Sequence, residues 1–227
     1  MLTVAAAQPA CVALDVAANA EAHADAVRAA RARLVVFPEM SLTGYELDAP
    51  DLDPASADLE PLVRACAETG TLALAGAPVA GRHIATLAVD GAGARVAYRK
   101  RWLGGEEVGR FEPGDPPTAI DVDGLRVGLG ICKDTGVDEH VEGAAALGLD
   151  LYVAGVCHLP GELAEQDRRG ARIARACAAP VALAGFAGPT GWGYEATAGT
   201  STIWSADGSV AARTGADPGD FARAFGN

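Results

Sequence analysis

Leu34-Val35-Val36-Phe37-Pro38-Glu39 is a short β-branched apolar run, stopped by proline and followed at once by a carboxylate. Upstream of it lie an apolar strand-like run, Leu2 to Ala7, and a helix-like segment, Asp15 to Arg31. Strand, helix and strand in that order are the grammar of an α/β fold. Within the helix, Val16, Ala20, Ala24, Val27 and Ala30 recur every three to four residues, with Glu21, Asp25, Arg28 and Arg31 between them. That spacing gives the helix one buried face, which predicts that it covers one side of a sheet.

Downstream, a helix-like stretch from Ala55 to Glu68 precedes an apolar run from Leu72 to Ala77. Consecutive strands follow, Ile84 to Val89 and Arg95 to Tyr98, joined by the turn residues Asp90-Gly91-Ala92-Gly93. A hairpin inside an α/β chain makes the sheet mixed, because antiparallel neighbours need only a tight turn. Hairpin patterns recur at Ala119 to Val122 with Leu125 to Ile131, and at Thr200 to Trp204 with Val210 to Arg213. Helices are predicted at Val137 to Leu147 and Glu162 to Ala178, and strands at Leu151 to Ala154 and Val181 to Gly185.

Two α/β halves, each with helices on one side, predict a four-layer α-β-β-α sandwich in which two mixed sheets pack face to face. No Pro/Gly/Ser linker separates the halves, so residues 1–227 read as a single domain.

With 50% hydrophobic and 21% charged residues, the composition is that of a soluble globular chain, with no apolar run long enough to span a bilayer. The N-terminus has no basic segment ahead of its apolar residues, so a cytoplasmic protein is the expectation. A formal charge of −12 repels phosphate backbones and anionic lipid, and Arg99-Lys100-Arg101 is too short a basic run to override it. Neither nucleic acid nor membrane is therefore an expected partner. The five cysteines, Cys11, Cys66, Cys132, Cys157 and Cys177, are odd in number and widely spaced, without Cys-x-x-Cys or a Cys/His cluster. Neither a disulfide framework nor a metal site is signalled.

Three stretches carry chemistry. Glu39 stands directly beyond a strand end, where α/β folds gather functional groups, although an isolated glutamate there is commonly a solvated loop acid. Lys100 follows a strand in Tyr98-Arg99-Lys100-Arg101-Trp102, and a fixed lysine can stabilise a developing oxyanion. The bland alternative is a solvent-facing basic strand end; Pro113-Gly114 downstream favours a loop with a defined path. Cys132 closes Gly128-Leu129-Gly130-Ile131-Cys132-Lys133-Asp134, at the end of an apolar strand and before a predicted helix start. Backbone N–H groups at such a turn can lower a thiol pKa and form half of an oxyanion hole. The other four cysteines sit in alanine-rich or apolar contexts and read as inert core residues. No histidine is adjacent in sequence to Cys132, so a Cys-His dyad is not signalled.

Glutamate in Phe-Pro-Glu, lysine in Tyr-Arg-Lys and cysteine in Gly-Ile-Cys-Lys-Asp, in this order at strand ends, resemble the nitrilase (carbon–nitrogen hydrolase) superfamily. The resemblance extends to Glu107-x-x-x-Phe111-x-Pro113-Gly114, Glu139, the Arg172 to Ala178 helix, and Gly199-Thr200-Ser201-Thr202-Ile203 before Asp207-Gly208. It implies that Glu39 is a general base, Lys100 an oxyanion stabiliser, Cys132 the nucleophile, and Glu107 a second carboxylate orienting Lys100 or the substrate. It further implies hydrolysis of a small linear amide through a cysteine thioester, with no cofactor. Nitrile hydrolysis, N-carbamoyl hydrolysis and acyl transfer use the same triad. A silent binding or scaffold protein, and an unrelated Cys-His-Glu glutaminase, are the alternatives of other kinds.

The chain departs from the family at Lys133, where relatives carry an aromatic residue, at Val137-Asp138, where a Phe-Pro pair is usual, and at Ala176-Cys177-Ala178, which lacks a Glu-Asn pair. Tyr45, Lys133 and His158 are the candidate substrate-binding residues. Lys133 and His158 could favour an acid-bearing amide, if they are not simply exposed on the surface. A homodimer is implied by the resemblance, and the short stretch after Arg213 predicts no larger assembly.

Overall fold

The computed structural model describes residues 2–226. Strands β1 (Leu2–Gln8), β2 (Leu34–Val36), β3 (Leu72–Val79), β4 (His83–Asp90) and β5 (Gly93–Arg99) belong to one six-stranded sheet. Strands β6 (Thr118–Val122), β7 (Leu125–Ile131), β8 (Leu151–Val156), β9 (Val181–Gly185), β10 (Thr202–Trp204) and β11 (Val210–Arg213) form the second. The last strand, β12 (Asp220–Gly226), returns to the first sheet and completes the order β12-β1-β2-β3-β4-β5. In both sheets parallel pairs at the centre, β1 with β2 and β2 with β3, and β7 with β8 and β8 with β9, are flanked by antiparallel ones. The predicted α-β-β-α sandwich of two mixed sheets is the architecture found.

Period-two alternation explains the layering. Leu2, Val4 and Ala6 of β1, Leu34 and Val36 of β2, and Leu72 and Leu74 of β3 meet Val127, Leu129 and Ile131 of β7 and Leu151 and Val153 of β8 in one core between the sheets. The opposite faces, Ala5, Ala7, Val35, Phe37, Ala73 and Ala75, pack under helices α1 (Val16–Ala30) and α2 (Glu60–Thr69). Tyr152, Ala154 and Val156 of β8 likewise pack under α3 (Asp138–Ala145) and α4 (Leu163–Cys177). Strands buried on both faces read as continuous apolar runs. Fully burying one side chain such as Leu74 contributes about 1.5–3 kcal/mol.

Local chemistry sets the helix ends. The Asp15 carboxylate caps α1 by accepting the Ala18 N–H, and Arg31 ends it in a left-handed conformation. Between Ala55 and Glu68 the predicted single helix is two pieces, a 3₁₀ turn at Ala57–Leu59 and then α2, with Pro61 in the first turn where its missing N–H costs nothing. Thr200 falls outside the strand predicted for it, because Gly199 and Thr200 both take positive φ before β10 begins at Thr202.

Strand β12 lies outside every predicted element. It pairs antiparallel with β1 along the whole strand, from Leu2 opposite Gly226 to Gln8 opposite Asp220. The Gln8 side chain strengthens this closure: its amide donates to the Gly215 and Asp217 carbonyls while its oxygen accepts from Ser201 N–H and Thr214 Oγ1. Among the described residues no helix is long and apolar enough to cross a membrane.

Candidate active site

Glu39, Lys100 and Cys132 come from three strand ends and two sheets. Glu39 is carried on the turn after β2, Lys100 follows β5, and Cys132 follows β7. Sequence separations of about sixty and thirty residues collapse because β2 and β5 share one sheet and β7 lies opposite in the other.

Two glycines make room for Glu39. A Cβ on Gly76 of β3 would lie 2.3 Å from Met40 N and 2.9 Å from Glu39 C. A Cβ on Gly155 of β8 would lie 2.5 Å from Phe37 O and 2.6 Å from Glu39 N. The Pro38-Glu39 backbone is thus pressed between one glycine from each sheet, at distances that no side chain tolerates.

Lys100 is 1% exposed and donates from Nζ to Glu39 Oε1 at 2.7 Å and to Glu107 Oε1 at 2.6 Å. Glu107, also buried, accepts the Tyr45 hydroxyl at 2.6 Å on Oε1 and the Gly104 N–H at 2.8 Å on Oε2. One ammonium between two buried carboxylates leaves the cluster one proton short of neutrality. Burial pushes the Glu39 carboxyl well above the ordinary carboxylate range, against the pull of Lys100, with Cys132 and Glu107 adding to the rise. Burial works against the Lys100 charge too, yet Glu39 and Glu107 outweigh it and hold the ammonium protonated. Among the described residues Glu39 Oε2 has no hydrogen-bond partner, and it is sealed from solvent.

Cys132 adopts a positive φ of 35°, turning its side chain out of the β7 alternation at the start of a 3₁₀ turn (Cys132–Gly136). The Asp134 carboxylate holds this turn by accepting the Ile131 N–H at 3.0 Å, and Thr135 Oγ1 donates to the Cys132 carbonyl at 2.6 Å. The thiol donates to the Cys157 carbonyl at 3.6 Å. Burial raises its pKa, and Lys100 and the Cys157 contact lower it only in part. At neutral pH the group is a thiol awaiting a base.

Lys100, Glu107 and Cys132 line a cleft of about 330 Å³. Tyr45, Lys133 and His158 line it as well, so the structure brings every candidate substrate-binding residue to one site. They differ in character. Lys133 is exposed at the rim, whereas His158 is buried, with Nδ1 2.9 Å from Gln166 Oε1. Gln166 donates its amide to the Thr200 carbonyl, so its oxygen is the acceptor and His158 Nδ1 carries the proton. Burial lowers the His158 pKa, so the ring is neutral at pH 7. The expectation that His158 supplies positive charge, or sits exposed on the surface, is therefore corrected for this residue.

Sequence reasoning missed Cys157, Arg169, Trp192 and Tyr194, which also line the cleft. Trp192 and Tyr194 sit on the loop after β9, where Tyr194 meets Tyr45 edge-on at 5.1 Å and Arg110 stacks over Trp192 at 4.0 Å. Two aromatics within Gly191-Trp192-Gly193-Tyr194 were the available signal. Glu139 stays exposed on α3.

Known proteins are similar to this chain in family pattern and in fold. The Carbon-nitrogen hydrolase family model matches residues 3–221. A search of the curated proteins finds no match. Among solved structures, the NitN amidase from Nesterenkonia sp. AN1 superposes with a TM-score of 0.86 at 22% identity, covering 99% of this chain and 92% of that one. A variant of the Nesterenkonia amidase in complex with butyramide gives 0.85 at 23% identity, over 98% and 89% of the two chains. A CN-hydrolase superfamily protein from Xanthomonas campestris, with an arsenic adduct in its active site, gives 0.83 at 14% identity, over 100% and 90%. At these identities the structures share the fold, while the family match spans nearly the whole sequence; the chain belongs to the carbon-nitrogen hydrolase family.

Proposed function

We propose that this protein hydrolyses the C–N bond of small linear amides, with Cys132 as nucleophile, Glu39 as general base and Lys100 as oxyanion stabiliser. The observation that carries the reading is the buried Lys100 ammonium, 2.7 Å from Glu39 and 2.6 Å from Glu107, in the cleft that also holds the Cys132 thiol.

Glu39 takes the Cys132 proton as sulfur attacks the amide carbon, a transfer suited to a carboxylate whose pKa burial has raised. The carbonyl π pair moves to oxygen, and Lys100 Nζ with the Lys133 backbone N–H receive the oxyanion, each good donor being worth about 3–4 kcal/mol. Collapse expels the amine or ammonia, which takes the proton from Glu39. Water, deprotonated by Glu39, then attacks the Cys132 thioester; the C–S bond breaks, the acid leaves, and Glu39 returns the proton to the Cys132 sulfur. Glu107, with both oxygens engaged by Lys100, Tyr45 and Gly104, orients Lys100. The aromatic wall of Tyr45, Trp192 and Tyr194 suits an apolar acyl chain.

Ammonia release from short aliphatic amides, nitriles and carbamoyl amino acids is the test. The expected result is turnover of amides by the wild type and none by Cys132→Ala. Equal turnover by the variant ends the nucleophile assignment, and preference for nitriles or carbamoyl compounds replaces the substrate class while keeping the triad.

A further inference from the structure

We propose that Cys132 and Cys157 form an oxidative modification site, in which hydroperoxide converts the two thiols to a disulfide that blocks the cleft and shields Cys132 from irreversible oxidation. Ile131 and Gly155 are in-register partners on the adjacent parallel strands β7 and β8. Cys132 lies one residue beyond the first and Cys157 two beyond the second. With neighbouring strands about 4.8 Å apart and a rise of about 3.3 Å per residue, the two Cα atoms lie about 6 Å apart. That falls within the roughly 4.4–6.8 Å that a disulfide spans. The Cys132 thiol already touches the Cys157 backbone, at 3.6 Å from its carbonyl oxygen.

Both side chains serve the same cleft. Cys157 belongs to the core between the sheets, and Cys132 packs against both that core and the cluster under α3 and α4. Cys66 is buried under α1 and α2, Cys177 lies in the cluster under α3 and α4, and the Cys11 thiol is engaged by the Pro9 and Ser41 carbonyls; the Cys132 thiol contacts the Cys157 carbonyl. Among the described residues Cys157 is thus the cysteine that the fold sets beside the candidate nucleophile. The amide mechanism proposed above gives its side chain no role.

The chemistry closes without a metal. A Cys132 sulfur pair attacks one peroxide oxygen, the O–O bond breaks, and the thiol becomes a sulfenic acid as water or an alcohol leaves. The Cys157 sulfur then attacks Cys132 Sγ, the S–O bond breaks, and the departing hydroxide takes the Cys157 proton and leaves as water. Two electrons from a dithiol reverse the step. Cys157 is buried while Cys132 is partly exposed in the cleft, so peroxide reaches Cys132 first.

The test treats reduced full-length protein with hydrogen peroxide, alkylates the remaining thiols under denaturing conditions and maps the peptides by mass. A Cys132–Cys157 linked peptide, with loss of two hydrogen atoms and full recovery of both thiols by dithiothreitol, is expected. In Cys157→Ser, Cys132 is expected to gain two oxygen atoms as a sulfinic acid that dithiothreitol does not reduce. Wild-type protein in which Cys132 stays reduced, or becomes sulfinic beside an alkylated Cys157, overturns the proposal without recourse to the variant. The mapping needs no substrate: a linked peptide in a protein that hydrolyses no amide leaves this site standing and ends only the amidase reading.

Discussion

The Asp134 carboxylate accepts the backbone N–H of Trp102 at 2.9 Å. This bond ties the segment carrying Lys100 to the turn carrying Cys132, across the two sheets. The second carboxylate oxygen accepts the Tyr98 hydroxyl at 2.9 Å and the Ile131 N–H at 3.0 Å, so one fully buried side chain anchors both flanks of the site.

Asp134→Ala leaves three donors without an acceptor, two of them buried and the Trp102 N–H partly so. At about 1–3 kcal/mol for each unsatisfied group, the folded state should lose at least 3 kcal/mol. Urea denaturation is expected to show that loss, and the surviving folded protein should also show reduced kcat with KM less affected, because the Lys100 and Cys132 segments lose their common anchor. A variant with wild-type stability would show that this carboxylate holds nothing together.

Gly155→Ala drives a methyl group into Phe37 O and Glu39 N, each within 2.6 Å of the new carbon. Overpacking of this kind costs about 1–3 kcal/mol. The displacement falls on the Glu39 backbone, so kcat for an amide should drop at least ~10-fold, the order expected for a misplaced catalytic group. Thermal melting beside steady-state rates separates the two effects, and full activity would mean that the turn tolerates movement.

A base must be ionised to act. Because burial raises the Glu39 pKa, the acid limb of kcat/KM should lie well above the ordinary 4.5 and activity should fall as pH drops through the raised value. The Cys132 thiol is raised as well, so its alkylation by iodoacetamide should quicken toward alkaline pH. A rate profile flat from pH 5 to neutrality would remove Glu39 from the base role.

His140 is buried, with Nε2 3.0 Å from the Tyr152 hydroxyl, and burial lowers its pKa from 6.5 to about 4. In the unfolded chain it protonates near 6.5; in the folded chain it does so only near 4. Between those values the unfolded state binds more protons, so the neutral ring's contribution, present above 6.5, is lost as pH falls toward 4. At about 1.4 kcal/mol per unit the effect is about 3 kcal/mol. Asp134, raised to about 6 by burial, acts in the opposite sense, so the comparison must be between proteins. Urea midpoints measured from pH 7 to pH 4.5 should fall less steeply in His140→Asn than in the wild type; parallel curves would contradict the linkage.

The amino-acid sequence by itself determined the α/β layering, since period-two strands and one-faced helices can bury their apolar surfaces only as sheets under helices. It also marked Glu39, Lys100 and Cys132, because strand ends in such folds are where side chains escape the ladder. Local patterns stop there. Strand β12 has no meaning apart from β1, whose edge it covers. The tautomer of His158 depends on Gln166 and Thr200, and the nearness of Cys157 to Cys132 on the register between Ile131 and Gly155. Gly76 and Gly155 are ordinary strand glycines until the Glu39 turn is pressed between them. Each is a contact between segments distant in the chain, and only the tertiary structure decides which of them meet.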